Sequence, residues 1–387
     1  MQGLRQVAEA GIRANGEGGR RGILPPQGTV GPPPAAANCL LTSGRNGCGV
    51  PCGERRGAIL VENLSLVADL GGTHARFALA TGTEITDERK LAVSAYADVV
   101  AAAQAFLVQV GRSSSAAQPR SACFAVASTL DGGDSVVFTN SPWHFSRQDV
   151  RGRLGLSTFR VINDFTALAL SLPHLRDDAL RPVGGGVAVP RSPIGVIGPG
   201  TGLGVSGLIW GESDWIPLTS EGGHTGFAPT TPRQIAILEA LLVRYGRVSA
   251  ERLLCGDGLR MLHQVLADVD GRTVPSWDQR TIVAQGTSAN PGEAGDTLDM
   301  FSSLLGTVAG DLALTLGARG GVYIGGGIVP RFVERFVRGP FRRSFENKGR
   351  QTPFVEGVPT YVITADMPAL IGAAVALLRE PGSTSFG

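Results

Sequence analysis

Lysine is almost missing from this chain of 387 residues: of 35 basic side chains only Lys90 and Lys348 are lysine, and the rest are arginine. Neither stands in a GK[ST] context after a glycine loop, so the lysine with which a P-loop grips phosphates is absent and that class of nucleotide enzyme is excluded. Cysteine is also scarce, at five. Cys123 and Cys255 are far apart, in apolar and loop contexts, which predicts reduced thiols in a cytoplasmic protein. Cys39, Cys48 and Cys52 cluster, but without the nearby histidine or fourth cysteine that a tetrahedral zinc site needs. No uninterrupted apolar run approaches the ~20 residues of a membrane span. A net charge of +2 gives no reason to expect nucleic acid or an acidic membrane as partner.

What the chain has is length, apolar content and glycine. Its 387 residues exceed one ordinary core and suggest two domains, and 43% hydrophobic with 18% charged residues are globular values. Residues 1–57 are rich in Gly, Pro and Arg without periodicity, and are expected to be a disordered extension. Their arginines resemble those of an organelle transit peptide, but Glu9, Glu17, Glu54 and the prolines fit that poorly. Order is expected from Ala58. LSLVADLGGTHARFALA reads as strand, glycine turn, strand; residues 97–111 read as a helix; SACFAVAS and FRVI read as strands. PIGVIGPGTGLGVSGLIW repeats the strand–turn–strand plan, which suggests a duplicated fold with nucleotide between the halves. Thr231-Pro232 opens a helix whose apolar face is predicted to be Ile235, Leu238, Leu241, Leu242 and Tyr245. Asp257 is read as the cap of the next helix, 297–317 as a long helix, GVYI as a strand, Pro330 as a helix start and PALIGAAVALLRE as a C-terminal helix. The predicted domains are 58–174, completed by a helix over 366–380, and 175–365.

Chemistry concentrates in four places. In VINDFTALAL, Asn163 and Asp164 sit where a β-branched run hands over to a helix. Taken alone, that position reads first as a plain helix cap and second as a carboxylate held at the mouth of a site. Asp69 precedes Gly71-Gly72-Thr73, where glycines let backbone approach phosphate oxygens and a carboxylate can hold Mg²⁺ through water; a simple hairpin turn is the alternative. GPGTGLG at 198–204 fails the dinucleotide register, because Val205 stands at the third glycine and a strand-like run follows instead of a helix. A phosphate-binding hairpin around Gly200, Thr201 and Gly202 fits better, and Gly326 and Gly327 form a third glycine turn. Glu221 and His224 flank two glycines in SEGGHTGFAP, which suits recognition of hydroxyls or a solvated loop. Glu251 either favours the first turn of a helix capped by Ser249 or joins that polar group. Phosphate cradles facing a hydroxyl-binding group are the layout of a kinase acting on a sugar.

From about residue 60 to 379 the chain resembles the bacterial glucokinase family, hexokinase-type members of the actin-like ATPase superfamily. The matches run in order: LVADLGGTHAR, FTNSPWHFS, VINDFTALAL, IGPGTGLGV, SEGGHTGFAP, ERLLCGDGL, GGVYIGGGIVPRF, FRRSFENKGR and MPALIGAAVAL. The resemblance implies an α/β, two-domain actin-like ATPase (ribonuclease H-like) fold with the active site in the interdomain cleft, and ATP-dependent phosphorylation of glucose on its 6-hydroxyl. It implies that Asn163, Asp164, Glu221, His224 and Glu251 bind the sugar, that Asp164 is the general base, and that Ala68, Asp69, Leu70, Gly71, Gly72 and Thr73 form the ATP loop with Mg²⁺ near Asp69. It also implies a homodimer. His74 and Gly226 depart from the family's usual Asn and polar residue. The alternatives are a kinase for mannose, fructose or an N-acetylated sugar, and a sugar-binding regulator without activity.

Overall fold

Two sheets are built on one strand plan. In the computed structural model, which describes residues 64–114, 117–138 and 141–379, the first sheet holds β1 (Leu64–Leu70), β2 (His74–Thr81), β3 (Glu84–Ala92), β4 (Ser121–Val126) and β7 (Thr158–Asn163) in the order β3-β2-β1-β4-β7. The second holds β8 (Leu180–Pro182), β9 (Ile194–Pro199), β10 (Leu203–Trp210), β11 (Trp215–Leu218), β12 (Gly321–Ile324) and β13 (Thr360–Ile363) in the order β11-β10-β9-β12-β13-β8. Each begins with an antiparallel meander, β1-β2-β3 or β9-β10-β11, and adds two parallel strands beside its first strand. The repeat read from the two glycine hairpins is therefore a repeat of topology. A short ribbon, β5 (Ser135–Val137) with β6 (His144–Ser146), stands outside both sheets.

The central strands are buried on both faces, which is why they read as near-continuous apolar runs. In β1, Leu64, Leu66, Ala68 and Leu70 point into one core with α1 (Val99–Gln109) and α2 (Arg147–Arg153). Val67 points the other way, toward α3 (Asp164–Ser171) and α12 (Pro368–Leu378). The period of two puts Asp69 on that same side. α3 and α12 pack on each other, and their core takes residues from both sheets, among them Ala125 of β4 and Val196 and Leu208 of β9 and β10. A third core, beneath the second sheet, gathers α4 (Pro232–Tyr245), α5 (Ala250–Leu253), α6 (Gly256–Val269), α7 (Gln279–Gly286) and α8 (Gly292–Leu316) with α9 (Val333–Arg338), α10 (Phe341–Glu346) and α11 (Thr352–Glu356).

Several local expectations need correction. α4 buries Gln234, Ile237 and Leu241, while Ile235 is 47% and Leu242 41% exposed. The packed stripe is rotated because Gln234 turns inward, its Oε1 accepting from Thr230 N at 2.7 Å and its Nε2 donating to Ser303 Oγ. The cap of α6 is Cys255, in extended conformation, whose Sγ accepts from Gly258 N at 3.3 Å; Asp257 already lies inside the first turn. α8 starts at Gly292, five residues earlier than read, and the segment at Pro330 is a 3₁₀ turn, Val329–Phe332, before α9. β3 carries no sequence signal, because a charged edge strand such as EITDERKLA lacks apolar alternation. Cys123 and Cys255 are free and buried, and burial pushes the Cys123 thiol up to about 12. The expected disordered extension and the cluster of Cys39, Cys48 and Cys52 lie outside the described residues. Among the described residues no helix is long and apolar enough to cross a membrane.

Candidate active site

The parallel strands of each sheet end at one level. Leu70 pairs with Val126 and Val126 with Asn163, so the turns after β1, β4 and β7 leave from one edge of the first sheet. In the second sheet the turns after β9 and β12 leave from the corresponding edge. Carboxyl ends of parallel strands are where ligands of open α/β sheets bind. Every sugar or phosphate residue read from the sequence lies at such an end, or on a segment packed over one.

Asn163 is the cap of α3. Its Oδ1 accepts from Phe165 N at 2.9 Å and from Thr166 N at 3.1 Å, while its Nδ2 donates to the carbonyl of Ser128 at 3.2 Å. Asp164 is the first helical residue, and its Oδ1 also accepts from Phe165 N at 2.9 Å. Its half-buried carboxyl is pushed up to about 7, chiefly by burial, then by the negative charge of Asp69 and, to a smaller extent, of Glu221. Asp69 reaches toward the same region from β1, where Arg76 lies directly opposite on β2 and donates Nη1 to its Oδ2 at 3.1 Å. Burial raises the Asp69 carboxyl, with Arg76 opposing. The two carboxyls thus differ: one is tied to a guanidinium, and the other has no cationic partner among the described residues and sits poised near neutrality.

The second sheet contributes the remaining polar group. Gly223 is so close to β10 that a Cβ there would lie 2.0 Å from the Leu203 carbonyl, which seats the Ser220–His224 turn on the strand. Glu221 Oε1 accepts from Thr129 Oγ1 at 2.7 Å, and its Oε2 lies 3.9 Å from His224 Nε2. His224 Nδ1 lies 3.7 Å from Glu251 Oε1, and Arg247 holds the His224 carbonyl at 2.7 Å. Glu251 Oε2 accepts from Leu203 N at 2.9 Å, so this carboxylate is anchored to the end of the glycine hairpin and does more than favour a helix start. Glu221, His224 and Glu251 are therefore neighbours, joined to the first sheet through Thr129.

The glycine turns divide by physical role. Gly326 has φ +77°, and a Cβ on it would meet the Pro199 carbonyl at 2.3 Å, so this turn needs glycine to pack against the β9 turn. Gly200 differs: its φ lies outside the left-handed region, and a Cβ would meet nothing nearer than the Gly202 carbonyl at 4.0 Å. Neither conformation nor packing demands glycine there, so the backbone of this turn is left open on that side. Thr201 is exposed at the tip, and Gly327 has open space around it. In the first hairpin Gly71 N bonds the His74 carbonyl at 3.0 Å and Thr73 is exposed, whereas Ala68 and Leu70 are wholly buried and offer only backbone to a nucleotide. His74 and Gly226 are both exposed, and neither touches the Asp164 group.

Sequence reading missed Arg76, Thr129 and Phe165. Arg76 had a signal, since a hairpin turning at 71–74 must place residue 76 opposite residue 69. Thr129, 92 residues from its partner, had none. Phe165 is noticed only in three dimensions: a Cβ on Gly204 would lie 2.0 Å from its ring, so α3 starts directly on the second hairpin.

Comparison with known proteins identifies the family. The family model described as Glucokinase matches residues 66–380. The glucokinase of Hahella chejuensis is 44% identical over 319 residues, covering 82% of this chain and 97% of its own length. That of Marinobacter nauticus is 46% identical over 318 residues, covering 82% and 98%. Among solved structures, a glucokinase from an Antarctic psychrotroph superposes with a TM-score of 0.74 at 34% identity, covering 82% of this chain and 99% of that one. The chain has the two-domain actin-like ATPase fold and belongs to the glucokinase family.

Proposed function

We propose that this chain transfers the γ-phosphoryl group of ATP to the 6-hydroxyl of glucose, giving glucose 6-phosphate and ADP. The observation that carries the reading is Asp164: a half-buried carboxyl near neutrality, at a helix start beside Asn163 and within the field of Glu221, which His224 joins to Glu251. A general base works best with a pKa near the operating pH, and a pKa of about 7 meets that requirement.

In this mechanism the sugar's hydroxyls are fixed by Asn163, Glu221, His224 and Glu251. Asp164 accepts the proton of the 6-hydroxyl as that oxygen bonds to the γ-phosphorus and the bond to the ADP oxygen breaks. Near pH 7 the carboxyl then returns the proton to solvent. Phosphoryl transfer asks a protein mainly for alignment and charge neutralisation. With lysine scarce, the phosphates are met by backbone N–H groups of the turns at 69–73 and 200–202. The adenosine end fits the groove of about 480 Å³ between α7 and Arg331, lined by Arg280, Val283 and Thr287. That groove adjoins the hairpin, since Gln279 at the start of α7 lies against Gly256, whose N–H donates to the Gly200 carbonyl at 2.9 Å.

No group of three metal-ligating side chains occurs among the described residues. This donor set fits Mg²⁺, which usually arrives on the nucleotide's phosphates and leans on one or two carboxylates through water. Asp69 would hold it with the oxygen that Arg76 does not use. Bound there, the ion supplies neutralisation of phosphate charge.

The halves 58–174 with the C-terminal helix, and 175–365, act as the two domains that close on the substrates. Closure excludes water that would otherwise hydrolyse ATP. The resemblance adds a cytoplasmic homodimer, which light scattering on the purified protein checks. A coupled ADP-release assay over a hexose panel tests the whole reading. Glucose should give the highest kcat/KM; preference for mannose, fructose or an N-acetylated sugar would replace the substrate, and no turnover with any hexose would refute the kinase.

A further inference from the structure

The loop after β4 reaches from the first sheet to the second at one place. Ser128 fixes it: its N donates to the Val126 carbonyl at 2.9 Å, its Oγ donates to the Val137 carbonyl at 2.5 Å, and its own carbonyl receives Asn163 Nδ2 at 3.2 Å. The next residue, Thr129, gives its hydroxyl to Glu221 Oε1 at 2.7 Å. The cap of α3 and the carboxylate of the opposite sheet are therefore held by consecutive residues of one pinned loop.

Thr129 is exposed, and the Glu221 side chain is 56% exposed. A solvent-exposed hydrogen bond contributes little to global stability, because water competes for both groups. Its consequence is local: it selects one orientation of a carboxylate that would otherwise sample several. A carboxylate offers about four acceptor positions. With Thr129 on Oε1 and His224 beside Oε2, acceptor positions on both oxygens remain for another donor.

Building on the sugar-kinase reading above, we propose that Thr129 is a positioning residue for sugar recognition. Its hydroxyl latches the Ser220–His224 turn to the loop whose Ser128 carbonyl holds Asn163, and sets the Glu221 carboxylate for a sugar hydroxyl before the sugar arrives. It touches neither the reacting oxygen nor the nucleotide. Preorganisation of this kind appears in affinity, since the ordering of Glu221 no longer has to accompany binding.

The test compares Thr129→Val, which keeps shape and loses the hydroxyl, with Thr129→Ser, which keeps the hydroxyl. Steady-state kinetics with glucose and ATP, glucose binding by calorimetry without nucleotide, and Tm are measured on both and on the wild type. Thr129→Val should raise KM and Kd for glucose about 3- to 10-fold. Its kcat should stay within about two-fold, with KM for ATP and Tm unmoved. Thr129→Ser should restore wild-type sugar affinity. A valine variant with wild-type glucose affinity overturns the proposal, as does a serine variant as weak as the valine one, which would assign the effect to the methyl group. The calorimetric arm separates this proposal from the kinase reading: a wild type that binds glucose without turnover sinks the kinase and still tests Thr129, and a wild type that binds no hexose sinks both.

Discussion

Replacing Asp164 by asparagine separates a base from a helix cap, because the two roles predict opposite changes in stability. The substitution keeps size and removes the ionisable oxygen. α3 already has its cap, since Asn163 accepts from both Phe165 N and Thr166 N, so the exchange costs the helix little. The carboxylate itself is a liability in the fold. Its pKa is raised from 3.8 to about 7 by burial and by Asp69, so keeping it ionised opposes folding. For a carboxyl whose folded pKa lies above its unfolded value, that penalty grows as pH rises between the two values and is complete above the folded one. A shift of this size corresponds to about 2–4 kcal/mol at most. Asp164→Asn should therefore raise Tm by roughly 3–6 °C at pH 8 and less at pH 5. Turnover should fall at least ~10²-fold with only a modest change in KM for glucose. The wild type's kcat/KM should drop with acidity around pH 7, and the variant's residual activity should lose that limb. The assays are calorimetry at the two pH values and coupled ADP release across the pH range. Turnover within a few-fold of wild type, together with a lower Tm, would identify Asp164 as a cap and remove it from the chemistry.

Three further outcomes are expected. Glu221→Gln and His224→Ala should raise KM for glucose roughly 10- to 150-fold and leave KM for ATP nearly unchanged, while Gly200→Val should do the reverse; steady-state kinetics showing the converse pattern would mean that sugar and phosphate sites have been exchanged. His263, 1% exposed and stacked on Trp277 at 5.3 Å, gives its Nδ1 to Thr297 and has no partner at Nε2, and burial lowers its pKa with Glu293 opposing. A histidine with a lowered folded pKa supports stability above its ordinary value of ~6.5 and withdraws it as pH falls below, so the wild type should lose more Tm than His263→Gln between pH 7.5 and 5.5; parallel curves would contradict this. Deleting residues 1–57 should leave kcat and Tm nearly unchanged, because a segment without apolar periodicity buries little; loss of active protein would show that it packs on the enzyme.

The sequence was legible where chemistry and local geometry coincide. Glycine pairs between β-branched runs marked both hairpins, and Asn163-Asp164 marked the start of α3, because turns and caps leave residue-type signatures within a few positions. Legibility failed where a distant partner decides. Ile235 and Leu242 look as apolar as Ile237, and only the packing of α4 through Gln234 chooses between the faces. Cys255 outranks Asp257 as a cap because the chain's path from α5 sets which residue is extended. β3 is a strand because β2 offers it an edge, against its charged composition. Thr129 reads as one more loop residue until Glu221 is seen beside it.

The duplicated strand plan explains how residues so far apart act together. In each half the first strand ends in a glycine turn at the edge where its parallel neighbour also ends, so turn backbone suited to phosphate arises twice from the same topology. Asp164, the proposed base, is coupled to both. Asp69 on the first hairpin raises its pKa, and Phe165, the next residue after it, rests on Gly204 of the second. A movement of β10 relative to β1 must shift Phe165 and with it the Asp164 carboxyl. The same movement carries Glu251, because its carboxylate is bonded to Leu203 N, and Glu221, whose turn sits on the Leu203 carbonyl. In the proposed mechanism the sugar-binding group, the base and the phosphate-facing turns thus share one mechanical reference, the start of β10. This is how a chain with two lysines can align its reactants: position and backbone dipoles supply what a mobile cation supplies in P-loop enzymes.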